Sequence, residues 1–424
     1  MRKQMIAGLA AVLICSVGAS AQTTILVNAT LIDGTGSPPQ PNVAITIERG
    51  RIVDIAPTPR GPSVIATMAG TQIVDLTGKF VVPGIINGHG HVGPAPRDAQ
   101  LRQYALYGIT TTTSMASDPD DVADFKVTQR AGHLRGSRLL TCKYRFTSMP
   151  DAQYRTIPEA RAKVDENAKL GADIIKVWID AQGGRHPKLT RDYVEAVLEQ
   201  ARKNNLITGA HVVELDDAKM VVDLGINVLL HNVRDREIDA ELIAKMKARN
   251  VSVISTLARE EGMFVFGNGP SGPTFTDNPF FQKGLTPERL ALLTKKHDEQ
   301  ANHPARARFL RMFDTDKKNL KKLADAGIRI GFGTDSGGDP NRFFVQGFFE
   351  HRQMELMRDA GLTSMQIIQA FSKNNSELLG IDKNFGTLAK GKAADLLVLA
   401  KNPLDDIANM RSIEAVYLGG RKFE

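Results

Sequence analysis

Cysteine is nearly absent. The 424 residues include two, Cys15 and Cys142, and the first lies in a segment that reads as a cleavable leader. One remaining cysteine closes no internal disulfide, so the fold must be held by its core and by bonds of other kinds. Long apolar runs are missing too. The run Met5–Gly18 follows the basic pair Arg2 and Lys3, is too short to span a bilayer comfortably, and exits through Ala19-Ser20-Ala21, a small-residue cleavage pattern. Residues 1–21 are therefore expected to be a signal peptide, leaving Gln22 first in an exported, periplasmic or extracellular chain. Ile14 ahead of Cys15 argues against lipid attachment, so no stable membrane anchor is expected after cleavage. No block of lysine and arginine is interleaved with aromatics. The formal charge of +7, less two from the leader, is spread along the chain and gives nucleic-acid binding no support.

What remains is ordinary for a soluble globular enzyme, with 42% hydrophobic and 24% charged residues. The two ends alternate apolar and polar residues. Ile25–Ala29, Val43–Glu48 and Arg51–Ile55 at one end, and Ala394–Leu399 and Ile413–Leu418 at the other, read as short strands punctuated by glycine and proline. Strands from opposite ends can pair, which predicts a small composite β-sandwich domain from residues 22–82 and 385–424 around an insertion of 83–384. The insertion alternates in period. Candidate strands are Val81–Ile86, Thr110–Met115, Arg138–Lys143, Asp173–Trp178, Ile207–His211, Val228–His231, Val251–Thr256 and Arg329–Gly333. Helical patterns lie between them, several ending in glycine. Eight strands with crossover helices predict an α/β fold of the (β/α)₈, TIM-like barrel type. An open doubly wound sheet is the alternative. The stretch Arg259–Arg308, rich in Gly, Pro, Asn and Phe, reads as a long irregular lid or binding loop.

Chemistry-bearing residues gather at strand ends. In Asn87-Gly88-His89-Gly90-His91, positions i and i+2 of an extended strand point the same way, so both imidazoles can address one metal. Lys176 sits among apolar residues of the fourth strand. His211 ends the fifth, His231 the sixth, and Asp335 follows the eighth. Each alone is weak. Together they mark the C-terminal mouth where such barrels hold their active sites. The sequence has no H-E-x-x-H helix and no G-x-S-x-G elbow.

With these residues in view, the chain resembles the amidohydrolase superfamily, most closely its imidazolonepropionase-like and Xaa-Pro or Xaa-Arg dipeptidase (prolidase-like) branches. Leu31-Ile32-Asp33-Gly34-Thr35-Gly36 resembles the family's opening strand pair, and Gly386-Thr387-Leu388-Ala389-Lys390-Gly391-Lys392-Ala393-Ala394-Asp395-Leu396 its closing segment. The resemblance implies that His89 and His91 bind a first divalent metal and His211 and His231 a second, with zinc preferred. It implies that Lys176 carries a CO₂-derived carbamate bridging both, and that Asp335 is ligand and catalytic proton carrier. A single-metal variant stays open. Family dipeptidases have Glu-His-Gly at the sixth strand, where this chain has Leu230-His231-Asn232. They have a small Ser/Gly-rich segment after the lysine, where this chain has Trp178-Ile179-Asp180.

The implied activity is hydrolysis of an amide C–N bond by metal-activated water, in a small amide or peptide substrate such as a dipeptide or N-acyl amino acid. Opening of a cyclic amide or lactone is the alternative, disfavoured for the imidazolonepropionase type by the export signal. A non-catalytic scaffold on the same fold is a third. Arg145, Arg234 and Arg259 follow strands and are candidates for gripping a substrate carboxylate. Phe264, Phe266, Phe275, Phe280 and Phe281 are candidates for an apolar subsite or for loop packing. His186, His297, His303 and His351 read as surface or supporting residues. Homo-oligomerisation is left open.

Overall fold

The computed structural model describes residues 23–59, 70–93, 96–115, 122–130, 134–150, 152–182, 184–266, 272–338 and 344–423. The expected leader lies outside them.

The strands in chain order are β1 (Thr23–Leu31), β2 (Gln40–Glu48), β3 (Arg51–Pro57), β4 (Thr71–Asp75), β5 (Phe80–Pro83), β6 (Ile85–Val92), β7 (Ile109–Ser114), β8 (Arg138–Thr141), β9 (Phe146–Thr147), β10 (Ile174–Trp178), β11 (Ile207–His211), β12 (Val228–Leu229), β13 (Ser252–Ser255), β14 (Ile330–Phe332), β15 (Ser336–Gly338), β16 (Leu396–Leu399), β17 (Ile413–Leu418) and β18 (Arg421–Lys422). Strands from both chain ends join one sheet, in the order β18-β17-β16-β5-β1-β2-β3, with β4 also against β1. The seam is β5 against β16, antiparallel, with Val81 opposite Val398. One face of this sheet is apolar, and Leu26, Val43, Ile45, Ile47, Ile52, Val81, Leu396 and Val398 form a core of their own.

The middle of the chain is mixed α/β. Parallel strands run β9-β10-β11-β12-β13-β14 in one sheet and β15-β6-β7-β8 in another, with helices between successive strands. All eight residues of β6 and all six of β7 are buried, as expected of parallel strands covered on both faces. Capping explains where several helices start. Thr156 and Glu159 form a reciprocal capping box on Ile157–Lys169, and Thr190 caps Arg191–Lys203. The helix Leu215–Asp223 is followed by Gly225 at φ +83°, a left-handed stop that glycine adopts without strain.

The segment after β13 is a correction. It is not a long irregular loop but helical at Leu257–Val265, Pro279–Gln282, Pro287–Glu299 and from Arg306 to Asp325. Two of its prolines open helices rather than break them. Pro279 and Pro287 follow the caps Asn278 and Thr286, where a missing N–H costs nothing.

Candidate metal centre

β6 carries His89 and His91, and β10 places Lys176 at Gly209 of β11 and Trp178 at His211. His231 follows β12, and Asp335 lies between β14 and β15. The structure brings these side chains together. Ligand atoms of His89, His231 and Asp335 all lie within 4.8 Å of one another, and all three residues are buried. The ring centroids of His89 and His231 are 4.6 Å apart, and those of His211 and His231 4.3 Å. Lys176 Nζ stands 3.2 Å from His89 Nε2 and donates to the Met115 carbonyl at 2.8 Å. His91 Nε2 is in short contact with Asp335 Oδ1.

The orientation of the rings is set by the backbone and by one hydroxyl. His89 Nδ1 is 2.9 Å from the Leu230 carbonyl, and His231 Nδ1 is 2.6 Å from Thr256 Oγ1. Nδ1 of His89 therefore carries the proton and its Nε2 lone pair faces the centre. The Nε2 atoms of His211 and His231 are buried and make no hydrogen bond among the described residues. Burial lowers the basicity of His89 and His231 far below the usual histidine range. It takes His211 down to about 4, with the charge of Arg234 adding to the effect. The rings are thus neutral near pH 7, the state in which imidazole binds a metal. Orphaned, neutral, inward-facing nitrogens beside a carboxylate fit a divalent cation.

Asp335 is fixed in an unusual conformation. Its φ is +55°, a left-handed value uncommon outside glycine and tolerated by Asp. Its N–H and that of Thr334 both donate to the His89 carbonyl, at 2.7 and 3.0 Å. Behind it lies a buried carboxylate that sequence reasoning missed. Glu350, in the helix Phe348–Asp359, accepts from Thr334 Oγ1 (2.7 Å), Ser336 Oγ (2.5 Å), Asn87 Nδ2 (2.7 Å) and the Gly347 N–H (2.6 Å). Asn87 Oδ1 in turn accepts from the His89 N–H at 3.0 Å. One carboxylate therefore braces both flanks of Asp335 and the strand bearing His89. Nothing local in Phe348-Phe349-Glu350-His351 signals this. Asn87, by its place in the His89–His91 run, was open to notice.

The three arginines differ. Arg234 is buried. Its Nη1 donates to the carbonyls of Val212 (3.0 Å) and Asn232 (3.2 Å), and its Nε stands 2.9 Å from Glu260 Oε1. Its donors thus face the framework. Arg259 bonds Glu260 Oε1 at 2.7 Å, and its Nε lies 3.6 Å from Asp335 Oδ2 with the side chain 23% exposed, so it lies beside Asp335 and partly in solvent. Arg145 lies over the Trp178 ring at 5.3 Å. Asp316, bonded to Asn232 Nδ2 at 2.6 Å, is pushed up to about 7 by burial and then by the nearby Glu260 charge.

Asp180, two residues past β10, stands with its Oδ2 3.5 Å from His211 Nε2. Burial raises its pKa, but contacts led by His211 outweigh this and hold it at about 2. The phenylalanines serve packing. Phe266 and Phe281 stack at 5.7 Å, Phe275 and Phe281 each lie 4.9 Å from Phe348, and Phe264 sits edge-on to Phe313 at 5.2 Å. His351 is buried against Phe280, its ring edge-on at 4.8 Å, with its Nε2 2.8 Å from the Tyr107 carbonyl.

Ochratoxinase of Aspergillus niger is 25% identical over 281 residues, covering 63% of this chain and 50% of that protein, so the chain spans about half the length of this curated relative. Among solved structures, a Xaa-Pro dipeptidase with methionine bound in its active site superposes with a TM-score of 0.73 at 20% identity, covering 95% of this chain and all (100%) of that one. Phenylurea hydrolase B superposes with a TM-score of 0.71 at 22% identity, covering 95% and 96%. Residues 80–422, most of the sequence and including all of the candidate ligands described above, match the profile of the amidohydrolase family, and the chain belongs to that family.

Proposed function

We propose that the protein is a metal-dependent hydrolase that cleaves the amide C–N bond of a dipeptide or N-acyl amino acid, in an exported chain whose parallel strands close into a (β/α)₈ barrel. The observation that carries this reading is the convergence of His89, His231 and Asp335 ligand atoms within 4.8 Å of one another, all three residues being buried. The likeness in fold to a dipeptidase and a phenylurea hydrolase supports it.

His89, His91, His211, His231 and Asp335 would hold one or two divalent ions, zinc by preference, with Lys176 as a carbamate supplying a further anionic ligand. Bound metal lowers the pKa of water towards about 7 and polarises a carbonyl. The chain does the rest. Asp335, braced by its backbone bond to His89, accepts the proton of the attacking water at its carboxylate and returns it to the leaving nitrogen. Arg259, 3.6 Å from that carboxylate, offers guanidinium donors at the mouth for the substrate's own carboxylate. The candidate ligands are buried, which keeps bulk water from them.

The test is hydrolysis of a panel of dipeptides and N-acyl amino acids by zinc- or manganese-loaded protein, with Asp335→Asn as the blank. Turnover by the native protein, lowered about 10²- to 10⁴-fold in the variant, is expected. A metal-replete protein that hydrolyses no amide in the panel overturns the reading and moves the substrate class to lactones or cyclic amides.

A further inference from the structure

Asp180 has no role in the chemistry derived above, yet its place is well defined. The Ile179 N–H donates to the His211 carbonyl at 3.0 Å, which continues the β10–β11 ladder one residue beyond β10. In extended chain, Lys176, Trp178 and Asp180 project the same way. The first comes within 3.2 Å of His89 Nε2, and the ring of the second lies 4.8 Å from that of His211. Asp180 Oδ1 is fixed by the Gln182 N–H at 2.7 Å, leaving Oδ2 turned to His211 Nε2 at 3.5 Å.

That distance is too long for an N–H···O hydrogen bond, which centres near 2.9 Å, and His211 Nε2 makes none among the described residues. No lysine or arginine among the described residues stands within ion-pair distance of Asp180 either. Two donors on one tetrahedral ion, each about 2.1 Å from it, are separated by about 3.4 Å. A buried orphan nitrogen and a carboxylate oxygen are thus spaced as two ligands of one ion are spaced.

We infer that Asp180 is a direct metal ligand that shares one divalent cation with His211. This rests on the metal-hydrolase reading and adds a carboxylate to its ligand set. Where family dipeptidases have small residues after the fourth-strand lysine, this chain has a donor.

The experiment is zinc affinity and stoichiometry, by competition with a chromophoric chelator, for the native protein, Asp180→Ala, Asp180→Asn, His211→Ala and the double variant Asp180→Ala/His211→Ala. The visible spectra of the cobalt-loaded forms are recorded in parallel. Partners that only support a ligand cost about 10- to 100-fold in affinity. Loss of Asp180 is expected to weaken one zinc by more than about 100-fold, to change the cobalt spectrum, and to add nothing once His211 is gone. Melting of the metal-free variants with the metal-free native protein shows that the fold is intact, and Asp180→Asn serves if the alanine variant fails to fold. A loss below 100-fold, or a rise in KM with metal affinity unchanged, overturns the assignment of Asp180 alone. A native protein that binds no divalent metal overturns the functional reading beneath it.

Discussion

Replacing Glu350 by alanine removes one side chain that touches none of the candidate ligands, and should damage the metal centre nonetheless. Four donors lose a bond to it, but Thr334 Oγ1 keeps Ser336 Oγ at 2.8 Å and Asn87 Nδ2 keeps Thr334 Oγ1 at 2.9 Å, so Ser336 Oγ and the Gly347 N–H lose most. Leaving a buried donor unsatisfied costs about 1–3 kcal/mol. At the middle of that range, two such losses come to about 4 kcal/mol. Unfolding entropy near 60 °C is about 2.1 cal/mol/K per residue, or about 0.9 kcal/mol/K for a chain of this size, so the midpoint of thermal unfolding should fall by about 4–5 °C in the metal-free protein. Because Thr334 and Ser336 flank Asp335 and Asn87 holds the His89 N–H, zinc affinity should fall too, by about 10- to 100-fold. Glu350→Gln keeps the volume and one acceptor oxygen but turns an amide donor on the others, so it should fall between the two. The assay is a melting curve and a zinc titration on each variant. A Glu350→Ala protein that melts lower but binds zinc with native affinity would refute the positioning argument, and one unchanged in both would refute the bonding argument as well.

Three further variants test buried ionisable groups. His351 is taken down to about 3 by burial, the opposing carbonyl of Tyr107 notwithstanding. Its unfolded-state value lies near 6.5, so the unfolded chain binds the proton more readily. Stability from this group is full above 6.5, falls at about 1.4 kcal/mol per pH unit as pH drops towards 3, and levels off below. His351→Gln should make the acid-side decline in melting temperature shallower between pH 6.5 and 4, and equal slopes would reject the assignment. Glu260→Gln strands the buried Arg234 beside it and should cost about 3–5 kcal/mol. Arg234→Met/Glu260→Leu should recover part of that in a denaturant titration, and a double variant no more stable than the single would count against a buried pair.

Much of the fold was legible where the period was clean. The alternation in β1 and β2 and the buried parallel strands could be read directly, because inward residues there repeat at fixed spacing. The segment after β13 misled, because Pro and Asn density signals irregularity unless each proline is read together with the cap before it. For the site, residue type and strand-end position drew attention to His89, His91, Lys176, His211, His231 and Asp335, since a strand's direction fixes where its end residues face. They could not tell Arg234, which turns inward to the carbonyls of Val212 and Asn232, from Arg259, which lies beside Asp335 and partly in solvent. Thr256 and Glu350 act through contacts made only once distant segments meet, and no local pattern announces such partners.

The seam between β5 and β16 bears on the order in which the molecule assembles. Val81 finds Val398 only after every intervening residue has been made. The entropy of closing so long a loop grows slowly with length, as about (3/2)RT ln n, but pairing of such low locality is slow. The α/β region can collect its helices and strands while β5 still lacks one neighbour. Completion of the terminal sheet is therefore a late event, and a chain halted before residue 396 would present the bare edge of β5 to whatever strand came next.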